Sequence, residues 1–162
     1  LPPQSSRVDF EGELAVVVAA PCRNLRSEAV ADHVLGLCCA NDVTARDIQR
    51  RDGLYARAKG FDTFAPVGPW IATQFPPPEE LVLHTRVNGE VRQQSQTRDM
   101  IWTPWQLVAS ISQCMTLLPG DIVLTGTPPG IGPLSPNDTV EISIQGVGTL
   151  SNPVVAAPGH AD

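Results

Sequence analysis

Val8-Asp9-Phe10-Glu11-Gly12-Glu13-Leu14-Ala15-Val16-Val17-Val18-Ala19-Ala20 passes from mixed polar and apolar residues into an unbroken β-branched run. Such a run is the pattern of a strand buried on both faces. Outward from it the chain reads as short elements. Ser27 stands before residues 28–34, where apolar residues recur at helical spacing, so a short capped helix is expected. Residues 35–41 have strand character and deliver the chain to Asp42, after which Thr44-Ala45-Arg46-Asp47 has the form of a capping box for a helix through Gln49 and Arg50. Residues 62–73, broken by Pro66 and Pro69, predict irregular segments and an edge strand. Asn88-Gly89 between two strand-like runs predicts a hairpin, because both central residues of a type I′ turn need positive φ. Thr103-Pro104 predicts the start of the longest helix, with an apolar stripe running to Leu118. The strand of residues 122–127 then leads into Gly126-Thr127-Pro128-Pro129-Gly130-Ile131-Gly132-Pro133, and two closing strands follow at 140–144 and 148–154.

Sixteen prolines and thirteen glycines in 162 residues punctuate short segments, which favours a β-rich α+β fold over a helical bundle. The length suits a single domain, residues 1–162, and the start so close to the first strand leads us to expect further residues upstream. A net charge of -6 with no cluster of Lys or Arg excludes a nucleic-acid partner. No apolar run approaches membrane-spanning length and no leader is recognisable, so a cytoplasmic protein without a membrane partner is expected. Cys22, Cys38, Cys39 and Cys114 form no Cys-x-x-Cys pair and are expected to be buried free thiols.

Glu11 and Glu13 lie two apart, so strand period puts both carboxylates on one face beside Ala15 and Val17. On a solvated edge they cost nothing; driven toward a core they repel and lose hydration unless a cation lies between them. Asp42 closes the second strand, where an aspartate serves either a turn or a site. Together the three offer hard oxygen donors suited to Mg²⁺ or Mn²⁺ with positions left for substrate. Lys59 is the single lysine beside ten arginines, a compact ammonium where the chain otherwise uses guanidinium. Arg46 and Gln49, three apart on a helix, face one point as a carboxylate fork and an amide, or are simply solvated. Thr127 sits in a glycine-rich loop that lacks the Gly-Lys-Ser/Thr of a P-loop. His33, His84 and His160 have no ligand or base setting, and Asp47 is assigned to the capping box.

The order and spacing of Asp9-Phe10-Glu11-Gly12-Glu13-Leu14-Ala15-Val16-Val17, Asn41-Asp42-Val43-Thr44-Ala45-Arg46-Asp47, Lys59-Gly60-Phe61 and Gly126-Thr127-Pro128-Pro129-Gly130-Ile131-Gly132 resemble the fumarylacetoacetate hydrolase family over nearly the whole chain. The resemblance implies the family's mixed β-roll with short helices, a homodimer, and Mg²⁺ or Mn²⁺ on Glu11, Glu13 and Asp42. It also implies that Arg46, Gln49, Lys59 and Thr127 surround the substrate, with Arg46, Gln49 and Lys59 in catalytic roles. Lys59-Gly60-Phe61-Asp62-Thr63-Phe64-Ala65-Pro66-Val67-Gly68-Pro69-Trp70-Ile71 looks like the branch with 2-hydroxyhepta-2,4-diene-1,7-dioate isomerase and 5-oxopent-3-ene-1,2,5-tricarboxylate decarboxylase activity. Acylpyruvate hydrolases and oxaloacetate decarboxylases are its relatives. Two departures stand out: Ala19-Ala20 replaces a usual glycine, and the His and Glu of the family's mobile lid belong upstream of Leu1.

The implied function is therefore isomerisation or decarboxylation of a small 2-oxo or 2-hydroxydienoic acid through an enolate whose charge the metal offsets. Carbon-carbon hydrolysis of an acylpyruvate and decarboxylation of oxaloacetate are the enzymatic alternatives, and a non-catalytic metal-binding β-rich protein is the alternative from another class.

Overall fold

The apolar run that opens the chain is broken at Glu11. In the computed structural model, which describes residues 1–157, it forms two strands, β1 (Val8–Phe10) and β2 (Gly12–Val18), and these belong to different sheets. At the break two buried side-chain amides receive the backbone: the Glu11 N–H donates to Asn41 Oδ1 at 2.9 Å, and the Gly12 N–H donates to Gln93 Oε1 at 3.0 Å. Glycine is required at position 12 because a Cβ there would lie 2.0 Å from Thr85 Oγ1.

The β2 strand joins β3 (Val34–Asn41), the edge strand β5 (Val67–Ala72) and β8 (Ile122–Leu124) in the order β5-β3-β2-β8. A second sheet runs β11-β10-β6-β7, from β6 (Val82–Val87), β7 (Glu90–Gln96), β10 (Thr139–Ile144) and β11 (Gly148–Pro153). The small third sheet sets β1 between β4 (Thr44–Ala45) and β9 (Gly132–Pro133). All pairings within these sheets are antiparallel. Alternation sends Leu14, Val16 and Val18 of β2 into the main core with Leu37, Leu83, Val140, Ile142 and Ile144. The opposite face of β2 carries Glu13, Ala15 and Val17, the last two in a separate small cluster with Cys38 and Ala40. This is the β-rich α+β architecture read from the sequence.

The helices are short: α1 (Arg46–Asp52), α2 (Ala56–Lys59) and α3 (Pro104–Cys114). Thr103 caps α3 as expected, accepting from the Gln106 N–H while the Gln106 side chain accepts from the Thr103 N–H. The Asn88-Gly89 hairpin is also present, with φ of 53° and 83°. Four details depart from the sequence reading. Residues Ser27–His33 form a 3₁₀ helix in which Ser27 lies inside the first turn and caps nothing. The Thr44/Asp47 capping box does not form, because Thr44 is drawn into β4 opposite Asp9 and its hydroxyl donates to the Asp42 carbonyl, while Asp47 turns to Ser5 and Ser6. These hydrogen bonds from Ser5 and Ser6 hold the Asp47 carboxyl well below the usual range. The third helix stops at Cys114 rather than near Leu118, since Met115 is extended and Leu117 pairs with Cys22. Finally, Cys22, Cys38 and Cys39 are buried free thiols, but Cys114, on the last turn of α3, is exposed. No helix among the described residues is long and apolar enough to cross a membrane.

Candidate metal centre

The break in the first strand brings the acids together. Gly12 pairs with Asn41, so Glu11 and Asp42 stand opposite one another, tied by the Asp42 N–H donating to the Glu11 carbonyl at 2.9 Å. Glu13, one residue into β2, projects on the face away from the main core. One carboxylate oxygen from each of Glu11, Glu13 and Asp42 lies within 4.8 Å of the others. Glu11 and Glu13 are buried and Asp42 is half-buried.

Two cations reach this cluster from the short helices. Lys59, the last residue of α2, donates from Nζ to Glu11 Oε2 at 3.1 Å and also to Asp42 Oδ2. Arg46, the first residue of α1, bridges three acceptors: Asp9 Oδ2 at 3.0 Å, Gln49 Oε1 at 2.7 Å, and Glu11 Oε1. Glu11 is thus shared between a guanidinium and an ammonium. Burial alone would depress Lys59, but the hydrogen bond to Asp42 and the charge of Glu11 outweigh it and hold the ammonium above its ordinary pKa. Arg46 likewise stays protonated despite burial, through Glu11 and Asp9.

Glu13 is treated differently. Its single hydrogen bond is from the Gly126 N–H, at 2.7 Å to Oε2. Burial pushes its carboxyl up from 4.5 to about 7; the Gly126 hydrogen bond opposes the rise, and the charges of Asp42 and Glu11 add to it. A glutamate only 2% exposed, beside two further carboxylates, in no ion pair among the described residues and relieved by Lys59 only through its charge, is the observation that tests the site for a metal. Asp9, Glu11, Glu13 and Asp42 exceed Arg7, Arg46 and Lys59 by one negative charge, which a dication would more than offset while holding Glu13 ionised. The hard oxygen donor set fits Mg²⁺ or Mn²⁺.

The fold therefore brings Glu11, Glu13, Asp42, Arg46, Gln49 and Lys59 to one place. Thr127 arrives from the other side of β2, on the loop after β8. Its hydroxyl donates to the Gly12 carbonyl at 2.9 Å and accepts from Gln93 Nε2 at 2.8 Å. Its proton is thereby committed to the backbone between the two glutamates. A largely apolar cavity of about 460 Å³ lies behind this loop, lined by Leu14, Leu83, Met100, Trp102, Leu107 and Thr125 among others. Leu14 points opposite to Glu13, so the cavity backs onto the acidic cluster with Gly126 and Thr127 as the partition.

Sequence reasoning missed Asp9, Asn41 and Gln93. Asp9 is fully buried between Arg7 and Arg46, and its period-two spacing with Glu11 and Glu13 was the available signal. Gln93 gave none, lying in a run of polar residues far along the chain. His33 and His84 lie away from the cluster, and His160 falls outside the described residues.

Comparison with known proteins shows what the chain as a whole is similar to. Residues 1–155 match the family described as Fumarylacetoacetate (FAA) hydrolase C-terminal. A Mycobacterium tuberculosis protein is 52% identical over 157 residues, 96% of this chain and 59% of that protein. The crystal structure of 2-hydroxyhepta-2,4-diene-1,7-dioate isomerase from Mycobacterium marinum superposes with a TM-score of 0.94 at 52% identity, covering 96% of this chain and 62% of that one. The fumarylpyruvate hydrolase of Pseudomonas aeruginosa, in complex with Mn²⁺ and pyruvate, superposes with a TM-score of 0.90 at 33% identity, covering 97% and 70%. The chain spans about three fifths of the length of the first two.

Proposed function

The chain belongs to the fumarylacetoacetate hydrolase family, and from that premise we propose that it is the metal-binding core of an enzyme that isomerises or decarboxylates a small 2-oxo or 2-hydroxydienoic acid, as in homoprotocatechuate-type aromatic catabolism. The observation that carries this reading is the clustered trio of buried Glu11 and Glu13 and half-buried Asp42, with Lys59 and Arg46 in contact with it. A divalent cation bound there would supply Lewis-acid stabilisation of the negative charge that develops on a carbonyl oxygen when a proton or carbon dioxide leaves the adjacent carbon. Glu11, Glu13 and Asp42 hold it. Arg46 and Lys59 offset the excess of carboxylates and draw in an anionic substrate. Gln49, oriented by its hydrogen bond from Arg46, keeps its amide nitrogen for a substrate oxygen. Lys59, protonated between Glu11 and Asp42, is the proton carrier for a substrate carbon. The 126–127 backbone lines the substrate side of Glu13.

Close likeness to the Mycobacterium marinum isomerase supports isomerisation. Hydrolysis of an acylpyruvate is the second reading, supported by likeness to the Pseudomonas aeruginosa fumarylpyruvate hydrolase and its bound Mn²⁺ and pyruvate. Oxaloacetate decarboxylation draws on the same residues. The working unit is proposed to be a homodimer.

The test is turnover of a panel containing a 2-hydroxydienedioate, an acylpyruvate and oxaloacetate, with Mg²⁺, with Mn²⁺ and with chelator. Metal-dependent consumption of one substrate, lost in Asp42→Asn while the circular dichroism spectrum is retained, is the expected result. Cation binding without turnover of any panel member would favour a non-catalytic metal-binding protein, and near-normal turnover in chelator would overturn the assignment.

A further inference from the structure

Gln93 stands on β7, in the sheet opposite the acidic residues, yet it is 1% exposed and its amide is fully used. Oε1 accepts from the Gly12 N–H at 3.0 Å, and Nε2 donates to Thr127 Oγ1 and to the Pro128 carbonyl, both at 2.8 Å. Thr127 in turn donates to the Gly12 carbonyl at 2.9 Å. These bonds close a ring, from the Gly12 N–H through the Gln93 amide and the Thr127 hydroxyl to the Gly12 C=O. Each member has one consistent direction: a reversed amide would set a donor against the Gly12 N–H and an acceptor against the Pro128 carbonyl. Rings of this kind in a dry interior reinforce their own members.

We propose that Gln93 is a positioning residue for the acidic centre, one buried amide that locks the glycine between Glu11 and Glu13 to the loop whose Gly126 N–H holds Glu13. The proposal rests on the reading of Glu11, Glu13 and Asp42 as a cation site. Gly12 is the only residue separating the two glutamates, and position 126 is one residue before Thr127. A shift of the Gly12 peptide moves two ligands at once, and a shift of the loop moves the donor on Glu13. Glutamine alone supplies the combination of one acceptor and two donors at this length. Leucine supplies none of these bonds, and glutamate supplies only the acceptor for Gly12. Thr85, the cross-strand partner of Gln93, packs against the same face of Gly12, so the peptide has no room to relax toward the second sheet.

The experiment is Mn²⁺ binding followed by electron paramagnetic resonance of the free ion, for the wild type, Gln93→Leu, Gln93→Glu and the core variant Ile144→Val, whose side chain is buried away from Gly12. Loss of a residue that orients ligands weakens metal binding about tenfold to a hundredfold. The expected order of affinity is wild type, then Gln93→Glu, then Gln93→Leu. Ile144→Val lowers the melting temperature but binds as the wild type does, which separates positioning from general loosening. Folded Gln93 variants that bind Mn²⁺ like the wild type would overturn the proposal. If neither Gln93 variant folds, Thr127→Val breaks the same ring from the loop side and decides it by the same measurement. Absence of binding in the wild type would instead remove the cation site itself, a different failure visible before any variant is compared.

Discussion

Glu13→Gln should stabilise the cation-free protein while abolishing cation binding. Glu13 is 2% exposed, forms no ion pair among the described residues, and has its carboxyl raised from 4.5 to about 7, chiefly by burial. For an acid whose folded pKa lies above its unfolded value, the associated stability is fully present below about 4.5 and is lost as the pH rises through about 7. At 1.36 kcal/mol per unit, that loss is roughly 3 kcal/mol by pH 8. Glutamine presents the same shape, keeps a carbonyl oxygen for the Gly126 N–H, and has no charge to desolvate. Urea unfolding in chelator at pH 5 and pH 8 should therefore show wild-type stability falling relative to Glu13→Gln by about 2–3 kcal/mol over that interval. Saturating Mn²⁺ should then raise the wild type by about 2.7 kcal/mol at a hundredfold excess over Kd and leave the variant unchanged. Because the cation and the proton compete for Glu13, Mn²⁺ affinity should fall about tenfold per pH unit below about 7 and level off above it. Parallel pH-stability curves for the two proteins, or equal response to Mn²⁺, would refute the reasoning.

Lys59→Met removes the ammonium shared by Glu11 and Asp42. Isothermal titration should show Mn²⁺ binding retained or tightened, as a positive competitor is gone, while turnover of the preferred substrate falls by about 10²-fold or more. Gly12→Ala places a Cβ 2.0 Å from Thr85 Oγ1 and 3.1 Å from Gln93 Oε1. It should cost at least about 1–3 kcal/mol in chemical denaturation, the range for overpacking a filled interior, and weaken cation binding. Thr103→Ala, far from the acids, removes one half of a reciprocal cap on α3; it should lower stability by about 1 kcal/mol with unchanged Mn²⁺ affinity.

Much of this was legible in the chain itself. The Asn88-Gly89 turn, the Thr103-Pro104 helix start and the closing strands all depend on residues near one another in sequence, and local φ preference and capping fix them. The trio of Glu11, Glu13 and Asp42 was singled out by two-residue spacing and a strand end, although Glu11 falls in the break between β1 and β2 rather than on one continuous strand. The failures are equally specific. Thr44 and Asp47 carry a sound local capping signal, but pairing with β1 and the hydroxyls of Ser5 and Ser6 outcompeted it. The first strand read as continuous because apolarity is continuous there. Only the arrival of Asn41 and Gln93 at its backbone explains why it breaks at Glu11.

Residue types and short-range order thus determined the β-rich architecture and singled out Glu11, Glu13 and Asp42 as one candidate set, while the resemblance of whole motifs pointed to the family. The tertiary structure decided which acids share their charge with a cation and which, like Glu13, are left desolvated. It also turned Gln93, one polar residue in a polar strand, into a buried amide with three partners. Charge balance and hydrogen-bond closure are sums over groups from distant parts of the chain, and no local pattern in the sequence contains them.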